Sequence, residues 1–264
     1  MSGEWRMTSD LGCPSFVIRN LSSVICHLSS VILIFIPMKR LIVFTGAGIS
    51  AESGIPTFRG GDGLWENHRI EDVATPEAWE RDPELVLKFY NQRRKGILEA
   101  KPNAGHKQIA RWQDEFDVTV ITQNIDDLHE RAGSKKVVHL HGEIWKARST
   151  SHPHLVYQLD NWRLRKGDVC EHESQLRPHI VWFGEDVPML SKAADIVEEA
   201  DIFIVVGTSL QVYPAAGLIH HAGRAQQKFI VDPQAHELVT KPGWSVVSAG
   251  AGTGLLTVDA QMLR

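Results

Sequence analysis

The chain has 264 residues, 43% of them apolar, enough for one large or two small domains with a sizeable core. A formal net charge of -4 gives no general attraction to nucleic-acid phosphates, and no local basic patch takes its place. Three cysteines, Cys13, Cys26 and Cys170, are too few and too scattered for a disulfide framework, which points to a reducing compartment, the cytoplasm.

The first 37 residues are Ser-rich and carry the apolar run Val31-Ile32-Leu33-Ile34-Phe35-Ile36, stopped by Pro37. A membrane helix needs roughly 20 apolar residues, so the run is too short to cross a bilayer, and no small-residue cleavage site follows it. Residues 1–37 are therefore expected to be a non-native or dispensable extension, with targeting as the alternative, and 38–264 to be the catalytic region. No membrane partner is expected.

From Met38 onward, apolar β-branched runs recur at residues 41–44, 118–121, 137–140, 202–206 and 229–231, each followed by polar or glycine-rich residues. Continuous apolar runs of this length are strands buried on both faces, and segments of helical character, such as 83–100 and 192–200, lie between them. This is the pattern of an α/β fold with a parallel sheet. Ligands of such sheets sit beyond the carboxyl ends of the strands, where Gly46, Gln123, His141, Gly207 and Asp232 fall.

The first run leads into Gly46-Ala47-Gly48-Ile49-Ser50-Ala51, which reads as a phosphate cradle: glycines let backbone N–H groups approach a diphosphate, and a helix N-terminus adds partial positive charge. An ordinary tight turn would show the same short pattern. Residues 54–65 are too rich in Gly and Pro for a strand or a long helix, and a mobile loop folding over the ligand is expected there. In the helix over 83–100, Leu85, Phe89, Arg93 and Ile97 recur at intervals of four, which puts a cation in line with an apolar stripe. Tyr90 stands one turn before Arg93, so both can converge on one ligand, and a guanidinium grips a carboxylate through two parallel hydrogen bonds. A snorkelling Arg beside a surface Tyr is the competing reading. Asn124 and Asp126, just past a strand, suit either a ligand or a local turn.

Four segments in order resemble one family: the glycine motif continuing through Ser53-Gly54-Ile55-Pro56-Thr57-Phe58-Arg59, then Thr122-Gln123-Asn124-Ile125-Asp126-Asp127-Leu128-His129, then His139-Leu140-His141-Gly142, then Gly207-Thr208-Ser209-Leu210-Gln211-Val212-Tyr213-Pro214-Ala215-Ala216-Gly217. The resemblance is to the sirtuins, NAD-dependent protein lysine deacylases. It implies a Rossmann-like parallel sheet with helices on both faces plus a smaller inserted lobe at about 143–180. The activity it implies releases nicotinamide, free lysine and O-acyl-ADP-ribose, with acylated lysine side chains of proteins as partners.

By the same resemblance, His141 is the general base, with Asn124 and Asp126 holding the reactive ribose and carboxamide. A neutral imidazole suits the base, since its ordinary pKa is about 6.5. His139 and His129 read as structural. NAD would be held by Gly46, Ala47, Gly48, Ser50, Thr57, Phe58, Arg59, Trp65, Gln123, Asn124, Ile125, Asp126, Gly207, Thr208, Ser209, Asp232 and Ala251. The Tyr-x-x-Arg arrangement marks members that remove succinyl and malonyl groups, with Ala74 leaving room for the longer chain. Val181-Trp182-Phe183-Gly184-Glu185 resembles the segment that pairs with an extended substrate peptide, so Val181, Phe183, Gly184 and Glu185 join Ala74, Tyr90 and Arg93 as substrate-binding residues; an ordinary buried strand would read alike.

The chain departs from the family where most members carry two Cys-x-x-Cys pairs for a structural zinc. Only Cys170 stands there, and His152, His154, Cys170 and His172 lack the usual spacings. Zinc is therefore doubtful, and the insertion is expected to fold around Trp145, Leu155, Val156, Tyr157, Leu159, Trp162 and Leu164 instead. Two rival readings stay open: a protein ADP-ribosyltransferase, and a non-catalytic NAD-sensing module.

Overall fold

All five apolar runs become strands. The computed structural model describes residues 37–57, 64–65, 68–238 and 242–262. In chain order the strands are β1 (Arg40–Thr45), β2 (Leu64–Trp65), β3 (His68–Arg69), β4 (Asp117–Thr122), β5 (Val137–His139), β6 (Gly142–Ser149), β7 (Val156–Gln158), β8 (Leu176–Ile180), β9 (Ile202–Val206), β10 (Gln227–Val231) and β11 (Ser245–Val247). The α-helices are α1 (Gly48–Ala51), α2 (Ile70–Val73), α3 (Pro76–Arg81), α4 (Pro83–Glu99), α5 (Ala104–Arg111), α6 (Leu128–Ala132), α7 (Leu190–Glu198), α8 (Ala235–Leu238) and α9 (Ala251–Gln261).

A six-stranded sheet runs in the order β11-β10-β9-β1-β4-β5, with every pairing parallel. β1 lies inside it, and its alternating side chains feed two cores. Leu41 and Val43 pack with Ile109, Trp112, Leu255 and Val258 from α5, its 3-10 extension and α9, while Ile42 and Phe44 pack with Ala193 and Val197 from α7. Helices therefore cover both faces. From β1 the chain adds strands on one side through β4 and β5, then returns to the other side through β9. The connections from β1 and β9 therefore lead to opposite sides of the sheet, which puts the switch point of the topology, and the cleft beyond the carboxyl edge, beside these two strands.

A second sheet, antiparallel in the order β7-β6-β8, follows directly after β5, and a two-stranded pair joins β2 to β3. The three-stranded sheet encloses a small core of Leu87, Ala147, Leu164, Cys170 and Leu176. This departs in part from the expected cluster. Leu155, Tyr157 and Leu159 pack against it, but Val156 is exposed, Trp145 joins the core of α4, and Trp162 is flanked by Lys95 at 4.1 Å and Arg163 at 4.5 Å.

α4 starts where Asp82 accepts a hydrogen bond from Leu85 N at 2.9 Å and Pro83 occupies the first turn, where a missing N–H costs nothing. Among the described residues no helix is long and apolar enough to cross a membrane.

Candidate active site

The crevice is built where loops touch backbone to backbone. Gly46 N donates to Val206 O at 3.0 Å and Gly48 N to Gly207 O at 2.7 Å, which locks the loop after β1 onto the loop after β9. Gly207 has φ +61, and a Cβ there would lie 2.4 Å from Ile49 N, so no other residue fits without moving the cradle. The helix N-terminus expected after the glycines is that of α1, a single turn, so the dipole it contributes is small.

Gln123, Asn124 and Asp126 follow β4. Asn124 Nδ2 donates to Ser50 Oγ at 3.1 Å, and Ser50 Oγ donates to Asp126 Oδ2 at 3.1 Å, a polar chain that ties the loop after β4 to the glycine loop. Leu128 N also bonds Asp126 Oδ1 at 3.2 Å. Burial raises the Asp126 carboxyl above the usual carboxylate range, against the pull of these two donors. Gln123 Nε2 donates to Thr208 Oγ1 at 3.0 Å, closing the ring of loops.

Two histidines flanking the end of β5 hold this loop from the other side. His141 Nδ1 lies 3.0 Å from Gln123 O, and His139 Nδ1 lies 2.9 Å from Asn124 O. A carbonyl only accepts, so each Nδ1 carries the proton. In neutral His141 that leaves Nε2 as the basic nitrogen. Burial holds His141 below the ordinary imidazole value, the carbonyl bond opposing, so the ring is neutral at pH 7. His139 behaves in the opposite sense. Burial alone would lower it, but its Nε2 is 2.8 Å from Glu130 Oε1, and that carboxylate raises it. Gly142, with φ +83, follows His141 at a point where a Cβ would come 2.1 Å from His179 O.

The sequence-derived residues gather in one cleft. Its lining includes Gly46, Ala47, Gly48, Ser50 and Thr57 from the first loop, Gln123, Asn124, Ile125 and Asp126 from the second, then His141, and Gly207, Thr208 and Ser209 from the loop after β9. Ala74, Tyr90, Arg93, Val181, Phe183, Gly184 and Glu185 line the same cleft. Arg93 is 7% exposed and Tyr90 fully buried, so the snorkelling alternative does not hold.

Two expected residues stand apart. Asp232 is absent from the lining; its Oδ1 accepts from Gln234 N at 2.9 Å, the local turn bond that an Asp after a strand commonly makes. Ala251 packs in the core beside Gly105 at the start of α9. Phe58, Arg59 and the Trp65 side chain lie outside the described residues, as does half of the loop expected over the ligand.

The peptide segment also differs from a simple strand. β8 ends at Ile180, Val181 N donates to His141 O at 2.9 Å, Phe183 N to Ala74 O at 3.0 Å, and Gly184 turns the chain with φ +91. The Glu185 carboxylate is already engaged by Arg148 and Arg177.

Sequence reasoning left out Trp182, Val212, Tyr213 and Pro214, which line the cleft within motifs that were themselves recognised. Arg94 was missed altogether. It is fully buried, donates to Ile144 O at 2.7 Å and Asn91 Oδ1 at 2.8 Å, and ties α4 to β6. Around the residues doubtful as zinc ligands, Cys170 Sγ bonds Ser149 Oγ at 3.4 Å, and the His152 ring centroid lies 4.6 Å from that of His172 and 6.2 Å from that of His154. Among the described residues no group of three or more His, Cys, Asp or Glu is placed to hold a metal ion.

A family model described as the Sir2 family matches residues 46–214. The NAD-dependent protein deacylase of Bacteroides thetaiotaomicron is 51% identical over 223 residues, 83% of this chain and 95% of that protein. Among solved structures, a Sir2 homolog–NAD complex superimposes with TM-score 0.74 and 40% identity, covering 85% of this chain and 91% of its own. A Sir2–p53 peptide–NAD+ complex gives TM-score 0.67 and 30% identity, covering 85% and 93%. The matched span runs from the glycine cradle to Pro214 and takes in the imidazole and both polar loops around it: this chain belongs to the Sir2 family.

Proposed function

We propose that the chain is an NAD-dependent protein lysine deacylase that removes acetyl groups and favours the acidic succinyl and malonyl groups. The observation that carries the catalytic part is the His141 ring, pinned through Nδ1 to the Gln123 carbonyl and lining the same cleft as Asn124 and Asp126. The donors and acceptors beside it fit a nicotinamide ribose and its carboxamide; the Gly46 and Gly48 N–H groups are taken by Val206 O and Gly207 O, so these glycines serve a diphosphate by leaving room for its close approach. NAD, when bound, supplies the ribose carbon that accepts the acyl oxygen as nicotinamide leaves.

His141 Nε2 takes the proton of a ribose hydroxyl, which a neutral imidazole does without first losing one of its own. Asn124 and Asp126, locked together through Ser50, hold the sugar in one pose. Likeness to a peptide-bound Sir2 structure supports a protein lysine as substrate. The buried free thiol of Cys170 suits a reducing compartment, and we place the enzyme in the cytoplasm.

The acyl preference rests on Tyr90 and Arg93, buried one turn apart on α4 and lining the cleft with the small Ala74. A guanidinium in so dry a place is a strong partner for a carboxylate, and burial pushes the Tyr90 phenol well above its ordinary value, keeping it protonated as a donor. Incubating the protein with NAD and acetyl-, malonyl- or succinyl-lysine peptides, followed by mass spectrometry, tests both parts. Deacylated peptide is expected, whereas ADP-ribosylated protein or no product would favour the rival readings. Arg93→Met should lower succinyl turnover about 10- to 100-fold relative to acetyl, the worth of a charge-assisted hydrogen bond. An unchanged ratio refutes the carboxylate grip.

A further inference from the structure

Trp182 joins the acyl end of the cleft to a charged network behind it. Its side chain is 2% exposed and its surroundings fix it on several sides. Trp182 N donates to Glu185 Oε2 at 2.8 Å, the Arg177 guanidinium lies 3.3 Å from the ring centroid, and Trp79 packs at 5.9 Å with a tilt of 37°. Arg177 is itself held by Glu185 at 2.7 and 3.0 Å and by Ile180 O at 3.0 Å. A ring held this way has little freedom to turn. Its single polar atom, Nε1, lies 3.0 Å from Tyr90 Oη.

An indole N–H only donates, so Tyr90 Oη is the acceptor in this bond. The bond therefore occupies one side of the phenol oxygen and sends its own proton in another direction. Accepting a hydrogen bond also polarises the O–H and strengthens it as a donor. We infer that Trp182 is a positioning residue for acyl selectivity: by donating to Tyr90 Oη it holds the phenol as a donor toward an acyl-chain carboxylate beside Arg93. The inference rests on the acidic-acyl preference proposed above. An acetyl group has no carboxylate to receive that proton, so the effect falls mainly on succinyl and malonyl chains.

The experiment measures kcat and KM on succinyl- and acetyl-lysine peptides for Trp182→Phe, Tyr90→Phe, the double variant and Arg93→Met. Trp182→Phe should raise KM for the succinyl peptide about three- to tenfold, the scale of one neutral hydrogen bond, with a smaller change for acetyl. Within the Tyr90→Phe background, Trp182→Phe should leave the succinyl-to-acetyl ratio where Tyr90→Phe alone puts it, because the two residues act through one bond. If Trp182→Phe does not fold, benzothienylalanine at position 182 keeps the indole shape without the N–H and carries the same comparison. Equal losses on both peptides, or an unchanged ratio while Arg93→Met lowers it, overturn the positioning role and leave the carboxylate grip standing. An unchanged ratio in Arg93→Met overturns both.

Discussion

β1 carries no charged side chain between Leu41 and Thr45 and is buried throughout that stretch, whereas β6 and β8 carry Arg148 and Arg177 into the molecule and meet Glu185 there. The parallel sheet is held by apolar layers on both faces, and its strand ends present amides, hydroxyls, an uncharged imidazole and the Asp126 carboxyl, itself hydrogen-bonded by Ser50 and Leu128, to the cleft. Beside the small sheet, the cleft wall depends on partly buried ion pairs and on the buried Arg94, bonded to Ile144 O and Asn91 Oδ1. On the function proposed above, the reaction common to all acyl groups is assembled on the large sheet, and the choice among acyl groups falls to the residues between α4 and the small sheet.

That division is sharpened most by His141→Ala. Loss of the base should lower kcat/KM about 10²- to 10⁴-fold on acetyl and succinyl peptides alike, read by mass spectrometry of the peptide. A loss confined to one acyl type would break the division.

Glu185→Gln attacks the other side. It removes the carboxylate between two guanidiniums, both at most 15% exposed, and strands buried charge. Destabilisation of about 3 kcal/mol in a denaturant melt is expected. The succinyl-to-acetyl ratio should fall with it, because Trp182 loses its anchor.

The strands of the large sheet were legible because burial on both faces writes a continuous apolar run. β11 escaped because Ser245 and Val246 at the sheet edge are exposed and leave no such run. The catalytic loops were legible through their ordered motifs, and Arg93 through its place on an apolar stripe. Arg94, Arg148 and Arg177 were not, since a charged residue in a sequence looks the same whether it is solvated or paired inside. Trp182 was read past for a related reason: only the fold brings its N–H to Tyr90, 92 positions away.

A smaller effect separates the two histidines flanking the end of β5. His141 has a lowered value, so kcat/KM should fall about tenfold per pH unit once pH drops through a point below 6.5. His139 is raised by Glu130, so its contribution to stability is complete below about 6.5 and is lost as pH rises through the higher folded value. Glu130→Gln should flatten that alkaline loss in melts taken across pH 6–9 and leave the acid limb of activity in place. Movement of the acid limb instead would mean that His139, and not His141, sets it.

The smallest change is expected from chelation, and its size is what makes it decisive. A structural zinc contributes apparent binding energies of about 10–16 kcal/mol, so stripping one would collapse the lobe it holds. Here the corresponding turn is closed by neutral contacts: Cys170 with Ser149, Thr150 with Ser174, and His152 N with Ser149 Oγ at 3.1 Å. Leu164 and Leu176 pack beside Cys170 in the same core. Protein dialysed against a strong chelator should keep its Tm within about one degree and its deacylase rate unchanged, because nothing in that set of contacts depends on a cation. A large drop in Tm, with one metal ion released per chain, would show that the small sheet is held by coordination and not by the apolar and hydroxyl contacts that now account for it.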